Sequence, residues 1–322
     1  MHVLVTGAAG FIGSNVSEAL VAQGHRVTGV DSFDAYLYPA EIKRANAAEL
    51  TRAGVTMVEA DICDRAAMER VIDDSVDVVC HLAALAGVRP SLQEPLRYLR
   101  TNIEGTGVII ERMRALGCKR LVFASSSSVY GAKAGDVREV VAFREDDPCL
   151  TPASPYAATK RMNELQLSAY SDLFGLGVFA LRFFTVYGPR QRPEMAIAKF
   201  TDAIAKGQPI TLYGDGSSRR DYTFITDIVA GVLAAIARIE PGRFEIFNLG
   251  GTQTISLREL VTLVEQTVGR PATINWQPDQ PGDVPVTFAN VDRARAALDY
   301  RPTTPPAVGI ARYWEWLQRQ GT

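Results

Sequence analysis

The run Val3 to Thr6 leads into Gly7-Ala8-Ala9-Gly10-Phe11-Ile12-Gly13 and then into an amphipathic stretch to Gln23. That order predicts a buried strand, a tight glycine turn and a helix. Glycine accepts the unusual backbone angles of such a turn, and without Cβ atoms the main chain is open to close approach by a ligand. The helix N-terminus adds amide donors and a partial positive charge, the two things a pyrophosphate needs. The spacing is GxxGxxG, one residue longer than the usual GxGxxG of dinucleotide-binding turns.

Arg26 to Val30 predicts a second strand, and Asp31 ends it. A carboxylate there accepts hydrogen bonds from both adenosine ribose hydroxyls and repels a 2′-phosphate, so NAD is expected rather than NADP. A glycine turn made only for packing is the alternative. Val55 to Glu59 predicts a third strand leading to Asp61-Ile62. Asp61 has two readings: a partner for the adenine amino group or, like Asp64, a cap for the helix starting near Arg65. Asp77 to Leu82 predicts a fourth strand, followed by Ala83 and Ala84, small enough for a cofactor to lie against the backbone. Residues 90–116 read as a long helix or a broken pair.

Leu121 to Ala124 predicts a fifth strand that releases four serines, Ser125 to Ser128. After a long polar loop comes SPYAATK, with Tyr156 and Lys160 on one helix face, one turn apart. An ammonium beside a phenol favours the phenolate, so the pair suits acid/base work, with a serine hydroxyl to pass a proton. A chance pairing on an exposed helix is the alternative. Val178 to Phe183 predicts a sixth strand. Strands alternating with helices give an α/β fold, a doubly wound parallel sheet. Beyond Tyr187 the pattern becomes irregular and predicts a smaller C-terminal α/β domain, with Phe244 to Asn248 returning to the main sheet. Residues 1–183 plus about 223–253 form the first domain, and about 184–222 plus 254–322 the second.

The chain has 322 residues, 47% hydrophobic and 22% charged, with a net charge of -2. That balance argues against nucleic-acid and membrane partners. Nothing resembles a signal peptide, and the four cysteines lack CxxC spacing, so reduced thiols and a cytoplasmic location are expected. Three scattered histidines give no metal site. The aromatics Tyr313, Trp314 and Trp316 read as packing.

TGAAGFIG, Asp31, Asp61-Ile62, HLAA, SSSSVYG and YAATK, in this order, resemble the extended short-chain dehydrogenase/reductase family of nucleotide-sugar enzymes, whose first domain is a Rossmann fold. RFFTVYGPRQRPEMA, GDGSSRRDYTFITDIV and QPGDVPVTFANV resemble its sugar-nucleotide half, and the likeness within the family is greatest to UDP-glucuronate 4-epimerases. The resemblance implies NAD as cofactor, a UDP-sugar as substrate and a homodimer built on the helices around 92–116 and after Tyr156. It makes Tyr156 the base, Lys160 its partner and Ser126 the catalytic serine. Gly7, Gly10, Phe11, Ile12, Gly13, Asp31, Asp61, Ile62, Leu82, Ala83, Ala84, Asn102 and Phe183 become cofactor contacts. Ser127, Ser128, Thr185 and Arg192 would line the sugar pocket, with Arg89 and Tyr213 also on the substrate. Arg220 matches a pyrophosphate-binding arginine and Asp283 a uridine ribose acceptor.

Two departures stand out: Gln280 where some relatives carry arginine, and Glu194 where glucuronate epimerases usually show Asp. Arg220 pairing with Asp215 or Asp221, and Arg192 pairing with Glu194, are the structural alternatives. The implied reaction oxidises C4 of the sugar, turns the 4-keto sugar over and reduces its other face. Dehydratases and decarboxylases of this family carry acidic residues where Ser127 and Ser128 stand here, and decarboxylases and galactose epimerases show Asn at Thr185. A UDP-glucuronate decarboxylase and a neutral UDP-sugar epimerase remain as rivals, and a non-catalytic NAD-binding regulator as a different class.

Overall fold

A computed structural model describes residues 1–131, 141–251, 253–278 and 285–320. Its centre is a parallel sheet built from β1 (His2–Thr6), β2 (Arg26–Asp31), β3 (Thr56–Glu59), β4 (Val78–His81), β5 (Arg120–Ser126), β6 (Gly177–Phe183) and a last strand, Phe244–Leu249. The order across the sheet is Phe244–Leu249, β6, β5, β4, β1, β2, β3. Both faces are covered, which is why β1, β4 and β6 are buried along their whole length and read as continuous apolar runs. The return of Phe244–Leu249 pairs it with β6, as expected from the sequence. Strand order reverses between β1 and β4, so a crevice opens at their carboxyl ends.

One face of the sheet packs on α1 (Phe11–Ala22) through Phe11, Val16 and Leu20. Helix α2 (Ala40–Ala53) lies beside it. The other face meets α3 (Arg65–Val71) through Ala67 and Met68. The stretch 88–116 is broken: α4 (Val88–Gln93), α5 (Pro95–Tyr98), a π-helical turn at Leu99–Glu104, and α6 (Gly105–Leu116). Pro95 starts a new helix because its ring sets φ and it has no N–H to give to the one before. Helix α7 (Pro155–Phe174) is capped by Ser154, whose hydroxyl accepts from the Ala157 amide at 3.1 Å, and stopped by left-handed Gly175.

The C-terminal unit is made of small pieces. Thr185–Tyr187 pairs with Tyr222–Phe224, Ile210–Tyr213 with Ile274–Gln277, and Arg219–Arg220 lies between Ile255–Ser256 and Val286–Thr287. Turn residues around 208–221 conceal two of these short strands from a sequence reading. Tyr313 is buried and stacks on Trp316, which packs on the core, in line with a packing role. All four cysteines are free thiols. Among the described residues no helix is long and apolar enough to cross a membrane, and no cluster of His, Cys, Asp and Glu could hold a metal.

Candidate active site

A cleft of about 420 Å³ runs over the carboxyl ends of β1, β2, β4, β5 and β6. Gly7, Gly10, Phe11, Ile12 and Gly13 form its floor. Gly7 holds a φ of +69°, and a Cβ on it would sit 2.8 Å from the Ala83 Cα; a Cβ on Gly13 would sit 2.0 Å from the Gly7 carbonyl oxygen. Only glycine lets the turn and β4 close up this far. Helix α1 starts at Gly10 with no side chain capping it, which leaves its first amides to the cleft.

Asp31 is buried beside that turn and accepts from the amides of Ala9 (3.1 Å) and Phe33 (2.9 Å). Burial raises its pKa, against the pull of the two amides and of Lys43. Asp64 is the cap of α3, accepting from Ala67 at 3.0 Å, while Asp61 accepts from Cys63 at 2.9 Å and lines the cleft with Ile62. The two readings of Asp61 thus separate: it is not the helix cap. Leu82, Ala83, Ala84 and Phe183 line the cleft as well.

Asn102 does not. It is buried behind the wall, accepting from the Leu85 amide (2.8 Å) and donating to the Leu85 carbonyl (3.0 Å) and the Thr159 hydroxyl (3.0 Å). Its amide fastens the loop after β4 to α7.

Strand β5 continues two residues past the expected end, through Ser126, before a tight turn at Ser127–Tyr130. Ser126 Oγ accepts from the Ser128 amide at 3.2 Å and from its hydroxyl at 3.0 Å. Ser126, Ser127, Ser128, Tyr156 and Lys160 all line the cleft. Lys160 Nζ donates to the Ala124 carbonyl at 2.7 Å and lies 4.8 Å from the centre of the Phe123 ring. Burial pulls its pKa down to about 7, with Glu164 pushing back.

The Tyr156 phenol is pushed up by burial, opposed by a hydrogen bond from Ser126 and the charge of Arg192. In the free protein the groups that ease ionisation of Tyr156 are Ser126 and Arg192. Lys160 itself is buried and turned to a backbone carbonyl. Its second neighbour, His81, is held neutral: burial and Lys160 lower its pKa to about 3 while its ring nitrogens bond Thr6 and Thr106.

Beneath the serines lies a buried ion pair that sequence reasoning missed. Arg182 grips Glu164 with two bonds of 2.8 and 2.9 Å, and the Ser125 hydroxyl donates to the same carboxylate at 2.6 Å. The three residues sit next to Phe183, one turn past Lys160, and next to Ser126. Their separation in sequence, on β6, α7 and β5, hid the association.

Arg192 and Thr185 line the cleft. Arg192 also pairs with Glu194 at 3.3 Å and donates to the Ala86 carbonyl at 3.4 Å, so the pairing alternative and the cleft position hold together. Arg89 and Tyr213 meet, guanidinium over ring at 5.0 Å, outside the cleft wall. Arg220 Nη1 donates to the carbonyls of Arg219 (3.0 Å) and Pro285 (3.2 Å). Asp221 turns inward to the amides of Gly251 and Ala289. Asp283 and Gln280 lie outside the described residues. Lys43 and Tyr38, which line the cleft near Asp31, were not foreseen; a lysine on a helix facing solvent carries no sequence signature.

Residues 3–250 match the NAD dependent epimerase/dehydratase family. The chain belongs to that family. It is 40% identical to a probable UDP-glucuronate 4-epimerase of Rhizobium meliloti, covering 99% of this chain and 97% of the relative. It is 39% identical to the UDP-glucuronate 4-epimerase of Thermodesulfobacterium geofontis, covering 98% and 95%. Its fold matches the crystal structure of a Bacillus cereus UDP-glucuronic acid 4-epimerase in complex with UDP-glucuronic acid and NAD, with a TM-score of 0.92, 33% identity and coverage of 99% and 100%. NAD is the cofactor of this family, and the bare glycine turn, uncapped α1 and buried Asp31 fit it.

Proposed function

We propose that the protein interconverts UDP-glucuronate and UDP-galacturonate by oxidation and reduction at C4. The observation that carries this reading is the arrangement of one cleft, which brings together the glycine turn, Ser126 beside Tyr156, and Arg192 with Thr185. Bound NAD would supply reversible hydride acceptance at C4. Tyr156 takes the proton of the sugar 4-hydroxyl and gives it back, with Ser126 donating to the phenol oxygen and stabilising its ionised form. Lys160 lies one turn away and holds the cofactor's ribose side. Gly7 to Gly13 bind the pyrophosphate of NAD, and Asp31 the adenosine ribose. Arg220, Tyr213 and Asp283 bind the UDP portion, so residues 184–222 and 254–322 act as the substrate unit, with Arg89 reaching the UDP from the cofactor unit, residues 1–183 plus about 223–253.

A guanidinium forks onto a carboxylate with two hydrogen bonds, which selects a uronic acid over a neutral sugar. The 4-keto intermediate is a β-keto acid and loses carbon dioxide when its carboxylate bond stands perpendicular to the ketone plane. Arg192, Thr185 and Ser127 hold it away from that geometry. Ser127 and Ser128 carry no carboxylic acid for dehydration, which supports epimerisation over that rival. The test is product analysis after incubation with UDP-glucuronate: UDP-galacturonate supports the reading, and a pentose with carbon dioxide, or no change, overturns it.

We also propose a homodimer in the cytoplasm. Leu92, Leu96, Leu165 and Leu173 are exposed on the α4–α5 stretch and α7, an apolar face that a second copy would cover. Ile109 of α6 packs into the sheet core and takes no part in that face. A monomeric mass by light scattering at micromolar concentration removes the dimer.

A further inference from the structure

Arg190 stands two residues before Arg192 and does not line the cleft. Its backbone is left-handed, with a φ of +65°, a conformation that an arginine adopts only where its surroundings hold it. Its side chain is 12% exposed, and its two terminal nitrogens reach two different helices: Nη1 meets Glu18 of α1 at 2.8 Å, and Nη2 meets Glu49 of α2 at 2.7 Å. A third tie reinforces them, because Asn15 of α1 donates to the Pro189 carbonyl at 3.3 Å. The loop that presents Arg192 to the cleft is thus fastened to the outside of the helix whose first turn, Gly10 to Gly13, forms the cleft floor.

We infer that Arg190 is a positioning residue for substrate selection: by bridging Glu18 and Glu49 it fixes where Arg192 stands relative to the glycine turn. This rests on the proposed grip of Arg192 on the sugar carboxylate. A planar fork with two divergent nitrogens can hold two carboxylates at once, whereas a lysine would hold one. Arg190 forms no bond with Arg192, so its influence is transmitted through the two intervening backbone units.

The experiment compares Arg190→Ala, Arg190→Gly and Arg192→Ala with the unaltered protein. Glycine keeps the left-handed turn free of strain and deletes only the bridge, so a folding defect and a lost clamp separate. The expected result for both Arg190 variants is a KM for UDP-glucuronate raised about fivefold to tenfold, as two partly buried ion pairs allow. The fall in kcat is smaller, and affinity for UDP alone and bound NAD are unchanged. UDP lacks the carboxylate, so a merely structural defect would weaken it as well. Arg190→Lys should recover part of the loss. A KM within twofold of the unaltered protein, or UDP and NAD affinities falling together with the melting temperature, overturns the inference. If Arg192→Ala leaves the KM unchanged, the carboxylate grip itself fails and the role of Arg190 falls with it; if Arg192→Ala raises it and the Arg190 variants do not, only the positioning role fails.

Discussion

The two ends of the cleft are built from different materials. The cofactor end is backbone: glycines that leave no room for a Cβ, an uncapped helix and small alanines, all seated on a seven-stranded sheet. The region proposed to take the sugar nucleotide is side chain: Arg192 in a loop on the cleft wall and, outside that wall, Arg89 on Tyr213 and Arg220 on a two-residue strand. Backbone donors on a packed sheet cannot shift, so they suit a ligand that stays in place. Long side chains on short strands can adjust, so they suit the turning of a sugar that the proposed reaction requires.

Between the two ends lies the chemistry, and removing it should have the largest effect. Tyr156→Phe deletes one hydroxyl from a cleft wall held by α7, so turnover should fall by about 10²–10⁴-fold while NAD content and fold persist. Retention of most activity in a steady-state assay would identify a different base. Two substitutions of nearly equal size then probe each end separately. Arg220→Ala should cost about 1.5–3 kcal/mol of UDP-sugar affinity and leave NAD bound, measured by calorimetry. Asp31→Ser should cost NAD a similar amount and leave UDP affinity unchanged. If either variant weakened both ligands alike, the separation of the two ends would be wrong.

The effect least tied to either ligand is a slope with pH. Lys160 in the folded free protein has a pKa of about 7, below its ordinary value, because it is buried. Between pH 7 and about 10 the unfolded lysine keeps a proton that the folded one has released, so stability from this group rises with pH across that window. Denaturant unfolding at several pH values should show the rise, and Lys160→Met should remove it. An unaltered slope in that variant would mean that the lysine is solvated.

The sheet was legible because it is buried on both faces. Fully buried strands become short apolar runs, and each helix between them left its own periodicity. The serine run read differently: an apolar pattern ends at Ala124, yet the ladder with β6 continues to Ser126 because backbone pairing ignores side-chain polarity. Asn102 stands out in the sequence only by its place in a motif, and its clamp between Leu85 and Thr159 needed the fold to bring those two residues to it. Arg182, Glu164 and Ser125 carried no local signal, since each of the three lies on a different element.

The sequence by itself determined the glycine turn, the α/β alternation, Asp31 after β2 and the Tyr156–Lys160 pair, all of them features of neighbouring residues and their spacing. Only the tertiary structure decided which charges meet. It turned Lys160 towards Ala124, set Ser126 and Arg192 to act on Tyr156, and bridged Arg190 to Glu18 and Glu49 across 172 and 141 positions of chain. The physical reason is that periodicity encodes which face of an element is buried, whereas hydrogen bonds and ion pairs depend on distances between elements that exist only after the core has closed.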